Sequence, residues 1–214
     1  KKKYHKKTKI FPIDSEHFSL FEYFNLGNVT SEIKDITITA SGGPFINQDF
    51  IKLKNVSFEK AINHPKWKMG YKNSIDSATM VNKCLEIVET HYLFNIPYNK
   101  INVLVHPEAI VHSIVRKKNN VTSMNLFKND MNIPIINFLK HSAKIQNTDT
   151  NSYDLNSFKK LTFQKIQKKT YPIYYYFKKL DKSLPENIIK FNIGNEFGVN
   201  LFKNNLIKYT DIYK

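Results

Sequence analysis

Cysteine and arginine are the residues that this sequence nearly lacks. Among its 214 residues there is one cysteine, Cys84, and one arginine, Arg116. A single cysteine excludes an intramolecular disulfide framework and a cysteine-ligated zinc cluster within these residues, and it fits a reducing compartment. A single arginine argues against specific nucleic-acid binding, because base and phosphate readers rely on the planar guanidinium fork. We therefore attribute the formal charge of +15 to solvated lysine faces and not to a nucleic-acid partner.

Glycine is also scarce, and long apolar runs are absent. The six glycines form no glycine-rich dinucleotide or nucleotide loop, so we expect no cofactor site of that kind within these residues. No uninterrupted apolar run approaches the roughly 18 residues of a membrane span, and no signal peptide is recognisable. The content of 41% apolar and 14% aromatic residues is nevertheless sufficient for a packed core. These features predict a soluble, globular protein with no membrane partner.

Apolar alternation predicts several short strands. Alternating apolar residues over 36–40 favour a half-buried strand that stops at a Ser-Gly-Gly-Pro turn over 41–44. Residues 101–126 contain further β-branched runs, and the two asparagines at 119–120 predict a turn between the last two strands.

Helical spacing is clearest in the middle and at the end of the chain. Asp76 or Ser77 is the predicted N-cap of the best helix. The apolar stripe of that helix consists of Met80, Cys84, Ile87, Val88 and His91. Polar residues over 141–157 predict a linker, and the pattern becomes helical again from Tyr171 onward.

An acidic pair stands out in this basic chain. In the stretch FPIDSEH, Asp14 and Glu16 project from the same side if the segment is a strand that runs into a loop. Carboxylates this close repel each other unless a cation or a shared proton lies between them. Glu86 offers a third carboxylate beside Asn82 and Lys83 on the predicted helix. Three carboxylates suit Mg²⁺ or Mn²⁺, which prefer hard oxygen ligands, although such a pair by itself is more often part of a solvated loop.

A second group of polar residues suits an anion. Ser41 and the backbone amides of the two glycines after it can form an anion-binding nest, although a plain turn is the more common meaning of that tetrapeptide. Ser77 at the predicted helix start, with Asn82 and Lys83 further along, adds hydroxyl, amide and ammonium donors. Ordinary capping and a solvent-facing lysine are the alternative interpretation of these three residues.

Nine stretches of the chain together resemble one enzyme family. They are PIDSEH, ASGGPF, HPKWKMG, SIDSATMVNKCLEIVETHYLFN, VHPEAIVHSIV, DMNIPI, LTF, YP and NEF...LF...IKYTDI. In this order and near these spacings they are similar to 1-deoxy-D-xylulose 5-phosphate reductoisomerases. That resemblance implies NADPH-dependent conversion of 1-deoxy-D-xylulose 5-phosphate to 2-C-methyl-D-erythritol 4-phosphate in non-mevalonate isoprenoid synthesis. It covers the chain from about Ile10 to the last residue.

The resemblance also implies roles for individual residues. Asp14, Glu16 and Glu86 match the ligands of a divalent Mn²⁺, Mg²⁺ or Co²⁺ ion, and Glu16, Glu86 and His64 match catalytic residues. The residues implied to bind the phosphosugar substrate are Ser15, Glu16, Ser41, His64, Trp67, Met69, Ser77, Asn82, Lys83 and Glu86. Within that set, Ser41, Ser77, Asn82 and Lys83 match the phosphate-binding residues.

Two further groups of residues are implied. HPKWKMG matches a mobile flap, in which Gly70 lies near the nicotinamide of NADPH. His17 and His112 match pocket histidines, whereas we expect His106 and His141 to be structural or surface residues.

The chain also departs from the family. Phe127 and Asn129 stand where a glycine and a proline are usual, which predicts a differently shaped loop, and Cys84 replaces a helix glycine. The dinucleotide domain that precedes this region in the family has no counterpart here. We therefore expect an excerpt of a full enzyme in preference to a decayed remnant.

The resulting prediction is an α+β fold. A catalytic domain over 1–140 has a mostly antiparallel sheet backed by helices, a linker spans 141–169, and part of a helical C-terminal domain spans 170–214. The resemblance implies a homodimer in the cytoplasm of a bacterium or in a plastid-type organelle. The alternatives are a basic, non-enzymatic binding module and a metal-dependent phosphosugar binder without reductase activity.

Overall fold

One mixed sheet organises the fold. The computed structural model describes residues 10–66, 69–143 and 160–213. Its five strands are β1 (Ile33–Ala40), β2 (Ile101–Val105), β3 (Val111–Lys117), β4 (Thr122–Leu126) and β5 (Gln164–Lys165), in the spatial order β4-β3-β1-β2-β5. β1 runs parallel to β2, and the other three neighbouring pairs are antiparallel. This arrangement confirms the predicted α+β class with a mostly antiparallel sheet.

Seven α-helices accompany the sheet in the described residues. They are α1 (Ser15–Asn25), α2 (Phe58–Ile62), α3 (Tyr71–Thr79), α4 (Val81–Phe94), α5 (Asn132–Ala143), α6 (Pro172–Lys179) and α7 (Pro185–Lys203). α1 lies against β3 and β4, while α4 lies against β2 and α6. Ile36 and Ile38 of β1 are completely buried, as the alternation predicts. The apolar stripe of α4 also turns inward, because Cys84 and Ile87 belong to the same core.

A second apolar cluster joins the C-terminal helices to α2 and α3. Val199 and Phe202 of α7 pack with Ile75 of α3 and with Tyr209, which lies in a short 3-10 helix (Tyr209–Tyr213). The side chain of Tyr209 is completely buried. The helical pattern predicted from Tyr171 onward is therefore present and packs against the segment that carries α3.

The predicted helix start at Asp76 or Ser77 is wrong. Both residues lie near the end of α3, and Met80, with φ of 72°, separates α3 from α4. Asp76 is not available as a cap because its buried carboxylate accepts a hydrogen bond from Asn195 Nδ2 at 2.9 Å. That partner lies 119 positions away, beyond the reach of a local pattern.

The predicted domain boundaries remain a prediction, to which the structure adds two observations. α5 continues to Ala143, past the proposed boundary at 140. Within the proposed linker, β5 pairs with β2, and the neighbouring Ile166 lies in the sheet core. No helix in the described ranges has both the length and the apolar character needed to cross a membrane.

A residue with a left-handed backbone conformation lies at each end of α4. Replacing the two residues with glycine should change the stability of the protein in opposite directions. Met80 is 2% exposed, whereas Asn95, the C-cap with φ of 56°, is exposed. Met80→Gly relieves about 1 kcal/mol of backbone strain but removes a buried side chain that contributes about 2 to 5 kcal/mol. We expect Met80→Gly to destabilise the protein and Asn95→Gly to be neutral or slightly stabilising. Urea unfolding measures both changes, and a Met80→Gly protein as stable as the wild type would contradict this packing.

Candidate metal and anion site

Three carboxylates converge where α1 meets α4. One carboxylate oxygen from each of Asp14, Glu16 and Glu86 lies within 4.8 Å of the others. The acidic pair does not lie on a strand, because Asp14 is the N-cap of α1 and Glu16 lies in its first turn. Asp14 Oδ1 accepts the backbone N–H groups of Glu16 at 3.1 Å and His17 at 3.3 Å. The cap, and not a strand pleat, therefore aims the acidic pair at α4.

The ammonium of Lys83 lies between two of these carboxylates. Lys83 Nζ is 2.7 Å from Glu16 Oε1 and 2.5 Å from Glu86 Oε2, and its side chain is 8% exposed. Ser15 Oγ donates to Glu16 Oε2 at 2.5 Å, and Asn82 Nδ2 donates to Glu86 Oε1. The predicted solvent-facing alternative for Lys83 therefore does not describe this structure.

The charges of the cluster are only partly balanced. Burial raises the pKa of Glu86 well above its ordinary value, and burial together with the charge of Glu16 raises the pKa of Asp14. Burial also acts on Glu16, but Lys83 and His112 outweigh it and lower that pKa to about 2. One ammonium thus stabilises one ionised carboxylate and leaves two that resist ionisation. Hard oxygen donors whose ionised forms lack a sufficient counter-charge fit a divalent cation.

One pocket of about 170 Å³ contains this cluster. The predicted site residues that line it are Asp14, Ser15, Glu16, Ser41, His64, Met69, Ser77, Asn82, Lys83 and Glu86. Gly70 is exposed and does not line it, and Trp67 lies outside the described residues. Further lining residues, for which the sequence predicted no role in the site, are Thr39, Ala40, Met80, Ala109, Asn129 and Met131. Met80 lies on the predicted apolar stripe, and its helical spacing indicated a core residue and not a pocket residue.

The two predicted pocket histidines occupy different positions. His112 lines the pocket, its ring stacks on Phe127 at 3.9 Å, and burial lowers its pKa despite the nearby Glu16. His17 is buried behind the carboxylates and does not line the pocket. Its Nδ1 lies 3.3 Å from Asp14 Oδ1, and its Nε2 lies 3.1 Å from the backbone oxygen of Glu86. His17 therefore connects the two helices that carry the carboxylates.

Two other histidines lie away from the pocket lining, as expected. The ring of His106 is fully buried, and its Nδ1 lies 2.8 Å from the backbone oxygen of Thr162. His141 is exposed at the end of α5, where it packs against Phe11.

His64 holds Ser41 in a donor orientation. Burial, with the charges of Lys66 and Lys83, lowers the pKa of His64 to about 4, so its imidazole is neutral at physiological pH. Its Nδ1 accepts the backbone N–H of Lys66 at 3.2 Å, which leaves the proton on Nε2, 3.1 Å from Ser41 Oγ. Ser41 Oγ also accepts the N–H of Gly43 at 3.3 Å. With both lone pairs occupied, the hydroxyl proton of Ser41 is available to a ligand.

The glycine loop brings Ser41 close to Ser77. Gly42 and Gly43 have φ of 90° and 62°, a region that favours glycine. A Cβ at Gly43 would lie 3.0 Å from the backbone oxygen of Ser77, so the loop packs directly on α3. Ser77 contributes from the last turn of α3, which corrects its predicted place at a helix N-terminus. Asn82 and Lys83 come from the first turn of α4.

The fold and the pocket together define a class: an α+β domain that places a carboxylate cluster beside anion-binding donors. Two family models match the chain, both describing the C-terminal region of one enzyme. The "1-deoxy-D-xylulose 5-phosphate reductoisomerase C-terminal domain" matches residues 10–94, and the "DXP reductoisomerase C-terminal domain" matches residues 126–214. The chain belongs to the 1-deoxy-D-xylulose 5-phosphate reductoisomerase family.

Individual relatives carry the same name. The reductoisomerase of Clostridium kluyveri is 41% identical over 209 residues, which are 96% of this chain and 53% of the relative. That of Wolbachia pipientis wMel is 43% identical over 99% of this chain and 54% of the relative. The apicoplastic enzyme of Plasmodium falciparum is 40% identical over 97% of this chain and 45% of the relative. The chain thus spans about half the length of these curated relatives.

Two solved reductoisomerase structures share this fold. A DOX-P reductoisomerase in complex with NADPH, fosmidomycin and magnesium superposes with a TM-score of 0.84 at 32% identity, covering 95% of this chain and 52% of that one. The Zymomonas mobilis enzyme in complex with NADPH gives a TM-score of 0.82 at 34% identity, covering 94% and 51%.

Two isosteric substitutions in the cluster should change stability in opposite directions. The fold favours the ionised form of Glu16, so Glu16→Gln should destabilise the metal-free protein, by an amount on the order of 2 kcal/mol. The fold disfavours the ionised form of Glu86, so Glu86→Gln should stabilise it at neutral pH. Both variants should lose the stabilisation that added Mn²⁺ gives the wild type, because each removes a ligand charge.

Thermal unfolding with and without Mn²⁺ measures these changes, with Glu59→Gln as the control because Glu59 lies exposed in the first turn of α2. The Glu16 contribution has a defined pH window. It is present above the ordinary pKa of 4.5 and is lost as the pH falls toward 2, because the folded-state pKa is the lower one. Destabilisation by both substitutions, or an unchanged Mn²⁺ effect in either, would contradict the assignment.

Proposed function

We propose that this chain supplies the metal and substrate site of an NADPH-dependent reductoisomerase. The proposed reaction is the isomerisation and reduction of 1-deoxy-D-xylulose 5-phosphate to 2-C-methyl-D-erythritol 4-phosphate in non-mevalonate isoprenoid biosynthesis. The observation that carries the proposal is the coexistence, in one pocket, of three converging carboxylates and a set of anion donors. A substrate with a hydroxyketone at one end and a phosphate at the other requires both features.

The carboxylate end would hold a divalent Mn²⁺, Mg²⁺ or Co²⁺ ion through Asp14, Glu16 and Glu86. When bound, such a cation stabilises negative charge that develops on neighbouring substrate oxygens. The magnesium in the solved relative's complex supports this assignment. Ser15, which donates to Glu16, would contact the substrate beside the metal.

The other end of the pocket would hold the phosphate. Ser41, Ser77, Asn82 and Lys83 present hydroxyl, amide and ammonium donors on its lining. Phosphate held at a distance from the reacting carbons supplies binding energy that orients them. Since Lys83 also neutralises Glu16, its ammonium is shared between the two ends of the pocket.

The proposed catalytic residues are Glu16, Glu86 and His64. The two glutamates would fix the reacting end of the substrate through the cation. The neutral His64 orients Ser41 through Nε2 and, as a pocket-lining residue, would contact the substrate. Trp67 and Met69 would cover the bound substrate and exclude water. Met69 lines the pocket and is 36% exposed.

NADPH is the proposed reductant, and it supplies a hydride when bound. Gly70 would lie near its nicotinamide, and a Cβ built at Gly70 meets open space among the described residues apart from its chain neighbours. Two solved relatives are complexes with NADPH. The glycine-rich loop that normally holds the pyrophosphate does not occur in this sequence, so the main dinucleotide contacts would come from residues outside it.

Homodimerisation and location complete the proposal. The homodimer rests on the family resemblance. A bacterial cytoplasm or a plastid-type organelle is supported by the bacterial relatives and by the apicoplastic one.

Ligand titration of the purified 214-residue chain tests whether it binds the metal and the substrate by itself and needs further residues to bind NADPH. We expect saturable binding of Mn²⁺ and of a phosphosugar analogue, no binding of duplex DNA at physiological salt, and no micromolar binding of NADPH. The last expectation follows from the absence of a glycine-rich pyrophosphate loop. Fusion of a dinucleotide-binding domain ahead of Lys1 should restore NADPH binding and its substrate-dependent oxidation.

Each outcome separates the candidate functions. DNA binding without Mn²⁺ or phosphosugar binding would favour the basic binding module. Mn²⁺ and phosphosugar binding without NADPH oxidation in the fusion protein would favour a phosphosugar binder that lacks reductase activity. Saturable micromolar quenching or enhancement of NADPH fluorescence by the isolated chain would show that it contains a cofactor site.

A further inference from the structure

The peptide unit between Gly42 and Gly43 is held from two sides. Its N–H, on Gly43, donates to Ser41 Oγ at 3.3 Å, and its carbonyl, on Gly42, accepts the hydroxyl of Tyr171 at 2.7 Å. Because a peptide unit is planar and rigid, the direction of its C=O determines the direction of its N–H. Tyr171, a buried residue at the N-cap of α6, therefore determines how Gly43 presents its N–H to Ser41.

A second buried hydrogen bond holds the residue that precedes Ser77, the other serine that lines the pocket. Asn195 Nδ2 on α7 donates to Asp76 Oδ1 at 2.9 Å, and Lys72 pairs with the other oxygen of the same carboxylate. Asp76 and Asn195 are 3% and 4% exposed. Asp76 immediately precedes Ser77, so a bond from α7 fixes the turn of α3 that carries the serine.

The two contacts act on surfaces that touch each other. A Cβ at Gly43 would lie 3.0 Å from Ala78 Cα, which shows that the glycine loop and the end of α3 leave no space between them. A shift of either one must therefore displace the other. Neither Tyr171 nor Asn195 lines the pocket, so both act on a ligand through Ser41 and Ser77 and not by contact.

We propose that Tyr171 and Asn195 are positioning residues through which the C-terminal helices set the phosphate affinity of the pocket. This inference rests on the proposed function, since it assigns the phosphate to Ser41 and Ser77. The carboxylate cluster belongs to α1 and the middle of α4 and has no hydrogen bond to either residue. Loss of these bonds should thus weaken phosphate binding and leave Mn²⁺ binding intact.

The chain offers a matched control for Tyr171. Tyr175, one turn further along α6, donates its hydroxyl to a backbone carbonyl, Ile166 O, at the same distance of 2.7 Å. Neither Ile166 nor its chain neighbours line the pocket, whereas Gly42 directly follows the pocket-lining Ser41. Tyr171→Phe should weaken binding of inorganic phosphate and of the phosphosugar by roughly three- to tenfold, the effect of one lost hydrogen bond. Tyr175→Phe should leave both affinities within about twofold while losing a comparable hydrogen bond. Mn²⁺ affinity should stay within about twofold of wild type in both variants.

Asn195→Leu provides a second variant should Tyr171→Phe fail to fold. Its control is Asn187→Leu, because Asn187 is a half-buried asparagine of α7 whose Nδ2 donates to Asp181 O at 3.1 Å, away from the pocket lining. Phosphate affinities equal to wild type in the folded variants, or a parallel loss of Mn²⁺ and phosphate binding, would overturn the inference alone. Failure of the wild type to bind phosphate while it binds Mn²⁺ would instead overturn the phosphate assignment in the proposed function, and this inference with it.

Discussion

Repulsion among three carboxylates at the junction of α1 and α4 is the constraint on which this pocket depends. Lys83 counteracts it at all three carboxylates, but only the pKa of Glu16 falls below its ordinary value, and burial keeps the pKa of Glu86 raised although the ammonium lies 2.5 Å away. Burying such charges costs free energy that a more apolar junction would not incur. The fold therefore tolerates local instability at the position where a cation of higher charge would be most strongly bound.

The surrounding elements hold that arrangement in place. The N-cap bonds of Asp14 begin α1 at the cluster, and His17 connects the start of α1 to the backbone of Glu86. The glycine loop after β1 packs on α3, and the C-terminal helices hold both through buried hydrogen bonds. The carboxylate cluster is thus held by α1 and α4, whereas Ser41 and Ser77 are held from α6 and α7.

Local patterns in the sequence predicted the helices and strands better than the contacts that connect them. The alternation in β1 and the apolar stripe of α4 depend on neighbours within a few positions, and both were predicted correctly. Asp76 was mistaken for a cap because its partner, Asn195, comes from α7. The capping role of Asp14 was not predicted, since Asp-x-Glu spacing alone does not distinguish a strand from the start of a helix. The contact between Tyr171 and Gly42, which are 129 positions apart, leaves no periodic signal at all.

A crystal structure of the protein grown with Mn²⁺, with the ion located by its anomalous scattering, tests the carboxylate metal site most directly. We expect a peak about 2.0 to 2.2 Å from one carboxylate oxygen of each of Asp14, Glu16 and Glu86. We also expect that Lys83 Nζ no longer bridges Glu16 and Glu86. An ion bound elsewhere, with Lys83 still between the two glutamates, would contradict this metal site.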